Sequence, residues 1–66
     1  MSIDSSARID PTAEIDSDVT IGPWTIIGPN VQIGSGTVID SHVIIRSNTK
    51  IGKNNRIFQF SSVGED

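Results

Sequence analysis

The stretch from Ile21 to Gly52 reads IGPWTIIGPNVQIGSGTVIDSHVIIRSNTKIG. Isoleucine returns at every sixth residue through it, at Ile21, Ile27, Ile33, Ile39, Ile45 and Ile51. Counting outward in both directions adds Ile3, Ile9, Ile15, Ile57 and Val63, so the register runs through eleven positions with no insertion. A period held this long marks a repeat architecture and takes precedence over local propensity.

With the column residue as position 1, the rest of each hexad follows. Position 2 carries Asp4, Asp10, Asp16, Gly22, Gly28, Gly34, Asp40 and Gly52, and position 3 carries Pro11, Pro23, Pro29 and several serines. These are turn residues, through side-chain-to-backbone bonds, free φ or preset φ. A corner is therefore expected after every isoleucine. Position 4 includes Asp18, Asn30, Gly36, Asn48 and Asn54, which tolerate a left-handed backbone. Position 5 is small or β-branched (Ala7, Ala13, Val19, Thr25, Val31, Thr37, Val43) and lies two residues before the next isoleucine. In a strand those two side chains share a face. Each hexad thus reads as a short strand with its small residue and isoleucine inward, then a corner. The period matches neither 3.6 nor 3.5, so a helix is excluded.

One such unit cannot bury its inward face, but stacked coils bury a continuous ladder. The six-residue period is similar to that of the hexapeptide-repeat β-helix, whose coils have three flat sides. Three hexads make an 18-residue coil, and 66 residues make about 3.7 coils. The predicted class is all-β, a parallel β-helix over residues 1–66. Stacking at this spacing aligns an outward column, Arg8, Ile26, Ile44 and Ser62, beside a corner column, Ser6, Trp24, His42 and Phe60. Trp24, Ile26, His42, Ile44 and Phe60 then form one apolar strip, expected to be a subunit-contact surface. The competing reading is a scatter of exposed apolar residues, which is common on folded proteins. The other outward columns, Glu14–Gln32–Lys50 and Ser2–Thr20–Val38–Arg56, are more polar.

Bulk properties narrow the function. A 66-residue chain has difficulty burying enough apolar surface alone, and with no cysteine no disulfide or thiolate metal site makes up the deficit. A net charge of −3 argues against nucleic acid. No apolar run approaches the ~20 residues of a membrane span. The start, MSIDSSARIDPTAEID, has no signal-peptide pattern, so a cytoplasmic location is expected. His42, the only histidine, reads as a general base or as a member of the Trp24–Phe60 corner. Without an identifiable nucleophile or orienting carboxylate at this spacing the second reading is preferred. One histidine and no cysteine do not suit zinc, and no other cofactor is expected. Asp4, Asp10, Asp16 and Asp40 are corner residues first. Gly22, Gly28 and Gly34 keep the repeat's spacing and not that of a phosphate loop. Lys50, Lys53 and Arg56 read as a small basic cluster that could attract an anion, or as a solvated edge. Phe58, Gln59 and Phe60 replace turn residues after Ile57, as a corner packed on a neighbouring subunit or as the approach to a ligand site. The chain stops at Asp66, one residue short of the next inward position, with no capping coil or helix; the expectation is the N-terminal piece of a longer protein.

Three segments carry a resemblance over the whole chain: IDPTAEI (Ile9 to Ile15), IGPWTIIGPNVQIGSGTVIDSHVII (Ile21 to Ile45) and TKIGKNNRIFQFSSVGED (Thr49 to Asp66). They resemble the start of the acyl-[acyl-carrier-protein]–UDP-N-acetylglucosamine O-acyltransferases of lipid A synthesis. The last segment is the most specific, because the hexapeptide segments alone fit many acyltransferases. The resemblance implies a left-handed coil, against the usual right-handed crossover rule. It also implies a homotrimer and a helical cap further along the chain. The implied reaction moves a 3-hydroxyacyl chain from acyl carrier protein to the 3-hydroxyl of UDP-N-acetylglucosamine. The family's general-base histidine lies in a later Thr-Ile-His-Arg-Gly coil that these residues lack, and His42 in Ser41-His42-Val43 does not match it. No catalytic, substrate-binding or metal residue carries over, and the 66 residues are expected to be inactive alone. The competing function is a non-catalytic β-helix module for assembly or binding. An ice-binding solenoid would want a flat outward threonine ladder, and a γ-class carbonic anhydrase several histidines; the chain has neither.

Overall fold

The computed structural model describes residues 2–64, and in it every hexad forms the predicted strand and corner. The strands are β1 (Ser2–Ile3), β2 (Arg8–Ile9), β3 (Glu14–Ile15), β4 (Thr20–Ile21), β5 (Ile26–Ile27), β6 (Gln32–Ile33), β7 (Val38–Ile39), β8 (Ile44–Ile45), β9 (Lys50–Ile51), β10 (Arg56–Ile57) and β11 (Ser62–Val63). Each is two residues long, the outward residue followed by the column residue. They build three parallel sheets, β1-β4-β7-β10, β2-β5-β8-β11 and β3-β6-β9. Partners stand eighteen residues apart throughout: Ser2 opposite Thr20, Arg8 opposite Ile26, Glu14 opposite Gln32, and so on to Ser62 opposite Ile44. The fold is the left-handed parallel β-helix. Glu65 and Asp66, on which the expectation of an uncapped end rests, lie outside the described residues. Among the described residues no helix is long and apolar enough to cross a membrane.

The inward column makes the core. Ile21, Ile27, Ile33, Ile39 and Ile45 are buried, with Val19, Val31 and Val43 beside them. Burial is graded along the axis. Ile3 remains 37% exposed, and Ile9, Ile15, Ile57 and Val63 are half-buried. A rung in the first or last coil has a neighbour within the chain on one side only, so its isoleucine is covered by one layer instead of two. Thr25 and Thr37 occupy buried inward positions, and their hydroxyls donate to the carbonyls of Asp40 (2.8 Å) and Gly52 (2.9 Å) in the next coil. A buried hydroxyl is tolerated only with such a partner.

Two kinds of corner close the coils. In the first coil the Ala7 N–H donates to the Asp4 carbonyl (3.0 Å) and the Ala13 N–H to the Asp10 carbonyl (2.9 Å). The Asp4 carboxylate accepts from the Ser6 N–H and hydroxyl, and Asp10 does the same with Thr12. An aspartate leading a four-residue i→i+3 turn is the type I pattern. In the later coils position 4 has positive φ: Trp24, Asn30, Gly36, His42, Asn48, Asn54 and Phe60 lie between 57° and 77°. That is the third residue of a type II turn, and Pro23 and Pro29 sit where proline favours it.

Type II corners turn a carbonyl toward the next coil. The Pro23 carbonyl accepts from the His42 N–H (3.0 Å), Pro29 from Asn48 (3.0 Å), Ser35 from Asn54 (2.9 Å) and Ser41 from Phe60 (3.3 Å). The first coil lacks this turn, and side chains replace the missing acceptors. The Ser6 hydroxyl, the Thr12 hydroxyl and the Asp18 carboxylate accept the N–H groups of Trp24, Asn30 and Gly36, each at 2.9 Å. Stacked corners also approach closely. A Cβ on Gly34 would lie 2.7 Å from the Gly52 carbonyl carbon, which accounts for glycine there.

Candidate functional site

The five residues predicted to form the strip lie along one side of the coil. The pleat that sends Ile27 and Ile45 inward sends Ile26 and Ile44 outward on β5 and β8, paired directly across the sheet. Both are exposed. At the adjoining corner Trp24 is 63% and Phe60 74% exposed, and His42, also exposed, lies between them. The His42 and Phe60 rings stack with centroids 5.1 Å apart and planes inclined by 30°. In the two columns Arg8, at one end, is the only charged residue.

The remaining candidates disperse. Lys50, Lys53 and Arg56 do not make one basic cluster. Arg56 stands on the β1-β4-β7-β10 sheet, donates to Asp40 at 3.2 Å, and lies 5.6 Å over the Phe58 ring. Lys50 and Lys53 border a different, open groove of about 330 Å³ on the β3-β6-β9 face, where Glu14 and Asp16 offset their charge. Two-residue strands turn the chain through a corner between Lys50 and Arg56, so sequence proximity does not become a shared surface. Phe58 is exposed beside Arg56 and Phe60 continues the corner column, so the Phe-Gln-Phe step belongs to two neighbouring surfaces.

Asp4 and Asp10 are spent on their own turns. Bonds from the Ser6 N–H and hydroxyl hold the Asp4 carboxyl below its usual value, and the Thr12 hydroxyl and N–H do the same for Asp10. Both are solvated turn acceptors. Among the described residues no three His, Cys, Asp or Glu side chains gather where a metal could sit. His42 packs its ring on Phe60, the place the corner column predicts for it. Sequence reasoning missed that Trp24, His42 and Phe60 hold a left-handed backbone. The available signal was their position 4 register, shared with Asn30, Asn48 and Asn54.

Comparison with known proteins places this surface in context. The family described as the GMPPB C-terminal domain matches residues 2–66. No curated protein matches the chain. Among solved structures the chain is similar to LpxA from Acinetobacter baumannii, with 58% identity over 96% of this chain and 24% of that one, at a TM-score of 0.85. It is similar to UDP-N-acetylglucosamine O-acyltransferase (LpxA) from Moraxella catarrhalis RH4, with 53% identity over 100% of this chain and 26% of that one, at 0.96. It is similar also to the Francisella novicida UDP-N-acetylglucosamine acyltransferase, with 50% identity over 97% and 23%, at 0.94. The chain spans about a quarter of the length of these structures.

Proposed function

The chain belongs to the hexapeptide-repeat family described as the GMPPB C-terminal domain, and from that premise we propose that it is the N-terminal scaffold of an O-acyltransferase of lipid A synthesis. The observation that carries this is the 53% identity at a TM-score of 0.96 over the whole chain to an enzyme named UDP-N-acetylglucosamine O-acyltransferase. In the proposed reaction the 3-hydroxyl of UDP-N-acetylglucosamine attacks the thioester carbonyl of a 3-hydroxyacyl-acyl carrier protein. A general base takes the hydroxyl proton, the new ester forms, and the carrier's thiolate leaves. None of the 66 residues is assigned to that chemistry. Their role is to hold the coil in register and to present the Trp24, Ile26, His42, Ile44 and Phe60 strip to neighbouring subunits of a cytoplasmic homotrimer.

Incubating the complete protein with 3-hydroxyacyl-acyl carrier proteins of several chain lengths and UDP-N-acetylglucosamine tests the proposal. The expected result is an O-acylated nucleotide sugar by mass, and none from residues 1–66 alone. No product with any chain length would overturn it. A second reading, a non-catalytic β-helix module for assembly, is favoured by the family's description as a C-terminal domain. It predicts self-association in the complete protein without acyl transfer.

A further inference from the structure

The end of the coil at β1, β2 and β3 is finished differently from every later rung. In later coils the position 4 N–H crosses to a corner carbonyl of the coil before it, as from His42 to Pro23, Asn48 to Pro29 and Asn54 to Ser35. The equivalent N–H groups of the first coil, on Ser6 and Thr12, turn back to the Asp4 and Asp10 carboxylates at 2.9 Å. The same carboxylates take the Ser6 and Thr12 hydroxyls at 2.7 Å. Those hydroxyls in turn accept the Trp24 and Asn30 N–H groups of the second coil. Between these corners the edge is open. The carbonyls of Ile21, Thr25, Ile27, Val31 and Ile33 each accept an N–H from the first coil. Ile3, Ala7, Ile9, Ala13 and Ile15 hold the same register places one coil earlier, so their carbonyls face out along the axis. Ile3 is 37% exposed and Ile9 and Ile15 are half-buried, so the end of the isoleucine ladder reaches solvent. A strand edge beside exposed apolar side chains is a template for pairing with another chain. Charge gathers at this end as well. Residues 2–19 hold five acids, Asp4, Asp10, Glu14, Asp16 and Asp18, against Arg8 alone, a net −4 where the whole chain carries −3.

We propose that the first coil is a built-in stop against end-on stacking by a second copy of this chain: Asp4 and Asp10 occupy the outward N–H groups of their corners and charge the rim of the Ile3–Ile9–Ile15 opening. A second copy is the partner held off, because it brings an opening of the same three-sided outline and a strand edge of the same length. Two copies meeting head to head about a two-fold axis would pair their edge strands and cover both isoleucine ladders in a closed arrangement. The carboxylates oppose this in two ways. They leave no free N–H on Ser6 or Thr12 to donate across the contact. They also bring two ends of like charge together, at a cost that grows as the contact excludes water. Natural strand edges are commonly shielded by charge in this manner. The end lies across the coil axis and not along the side that carries Trp24, Ile26, His42, Ile44 and Phe60, and the stop does not depend on the acyltransferase reading.

The test compares the complete protein with three variants by sedimentation over a range of concentrations, with far-UV circular dichroism as the check on folding. Asp4→Ala with Asp10→Ala frees both N–H groups and removes the charge. Asp4→Asn with Asp10→Asn removes the charge but keeps an acceptor at each corner. The third variant adds Ile3→Asp to the alanine pair and so charges the opening itself. The parent is expected to hold one mass. The alanine pair is expected to double that mass, with an association about 100-fold or more tighter than the parent's, and the asparagine pair to gain about tenfold. The variant with Ile3→Asp is expected to return to the parent's mass. An unchanged mass in a folded alanine pair overturns the stop. Doubling that survives Ile3→Asp overturns it too, because the contact then lies elsewhere, and so does a parent that already doubles and is released by Ile3→Asp. If the alanine pair does not fold, the asparagine pair decides: a gain of about tenfold supports the stop and no gain overturns it.

Discussion

Replacing Ile33 by alanine tests the ladder where it is most constrained. Ile33 is 2% exposed and sits between Ile15 and Ile51, its register partners in the coils below and above. The change removes three carbons, worth about 2.4 kcal/mol of transfer free energy at about 0.8 kcal/mol each. The neighbouring rungs cannot close the gap. They are tied by the Glu14 N–H to the Val31 carbonyl at 2.8 Å, the Gln32 N–H to the Thr49 carbonyl at 2.9 Å and the Gly34 N–H to the Ile51 carbonyl at 2.8 Å. A cavity that cannot collapse adds its own cost, and the total should reach about 4 kcal/mol, within the range for isoleucine-to-alanine changes. Val38 is the control. It is the outward residue of β7 and only partly buried, so Val38→Ala should cost about 1 kcal/mol. Urea unfolding of the complete protein at matched m-values measures both. A difference below about 1 kcal/mol between the two variants would refute the inward assignment of the column.

Gly34→Ala would place a Cβ 2.7 Å from the Gly52 backbone, whereas Gly52→Ala meets only the Asn55 side-chain nitrogen at 3.6 Å. The first should destabilise by about 2 kcal/mol and the second by less than about 1 kcal/mol; equal unfolding midpoints would contradict the close approach. Thr25→Val keeps the shape but removes the hydroxyl that donates to the Asp40 carbonyl at 2.8 Å. It should cost about 1 kcal/mol although valine is more apolar, and a stabilised variant would show that bond to be dispensable. The depressed Asp4 and Asp10 carboxyls contribute stability that is present above the ordinary aspartate value near 3.9 and is lost as pH falls through their lower folded values. Asp4→Asn with Asp10→Asn should flatten the acid side of a thermal-midpoint profile between about pH 2 and 5. An unchanged slope would assign the acid sensitivity to other groups.

The isoleucine column made the strands readable because period six tolerates one arrangement only, a short strand followed by a corner. The eighteen-residue stacking was readable for the same reason, and the pairing of Arg8 with Ile26 and of Ile26 with Ile44 follows it residue by residue. The corners were harder. Their conformation is set by a carbonyl needed in the next coil, such as that of Pro23 for the His42 N–H, and that demand overrides what tryptophan or phenylalanine would adopt alone. The first coil took the opposite turn because Asp4 and Asp10 offered their own side chains as acceptors. The apparent basic cluster failed because neighbours in sequence face different sides of a three-sided prism. The chemistry was not readable because the scaffold holds Asp4 and Asp10 in turns, Asp18 against the next coil, Asp40 on Arg56 and its one histidine in an aromatic stack.

The unbroken spacing of the columns sets how such a chain can change its length. One inserted residue in a two-residue strand would exchange inside for outside at every later rung, unless a loop at a corner absorbed it. Eighteen inserted residues would leave every column in place and lengthen the prism by one storey. Length variation among descendants of this coil should thus be quantised, arriving as whole storeys or as excursions at the corners, with stability rising by a nearly constant increment per storey.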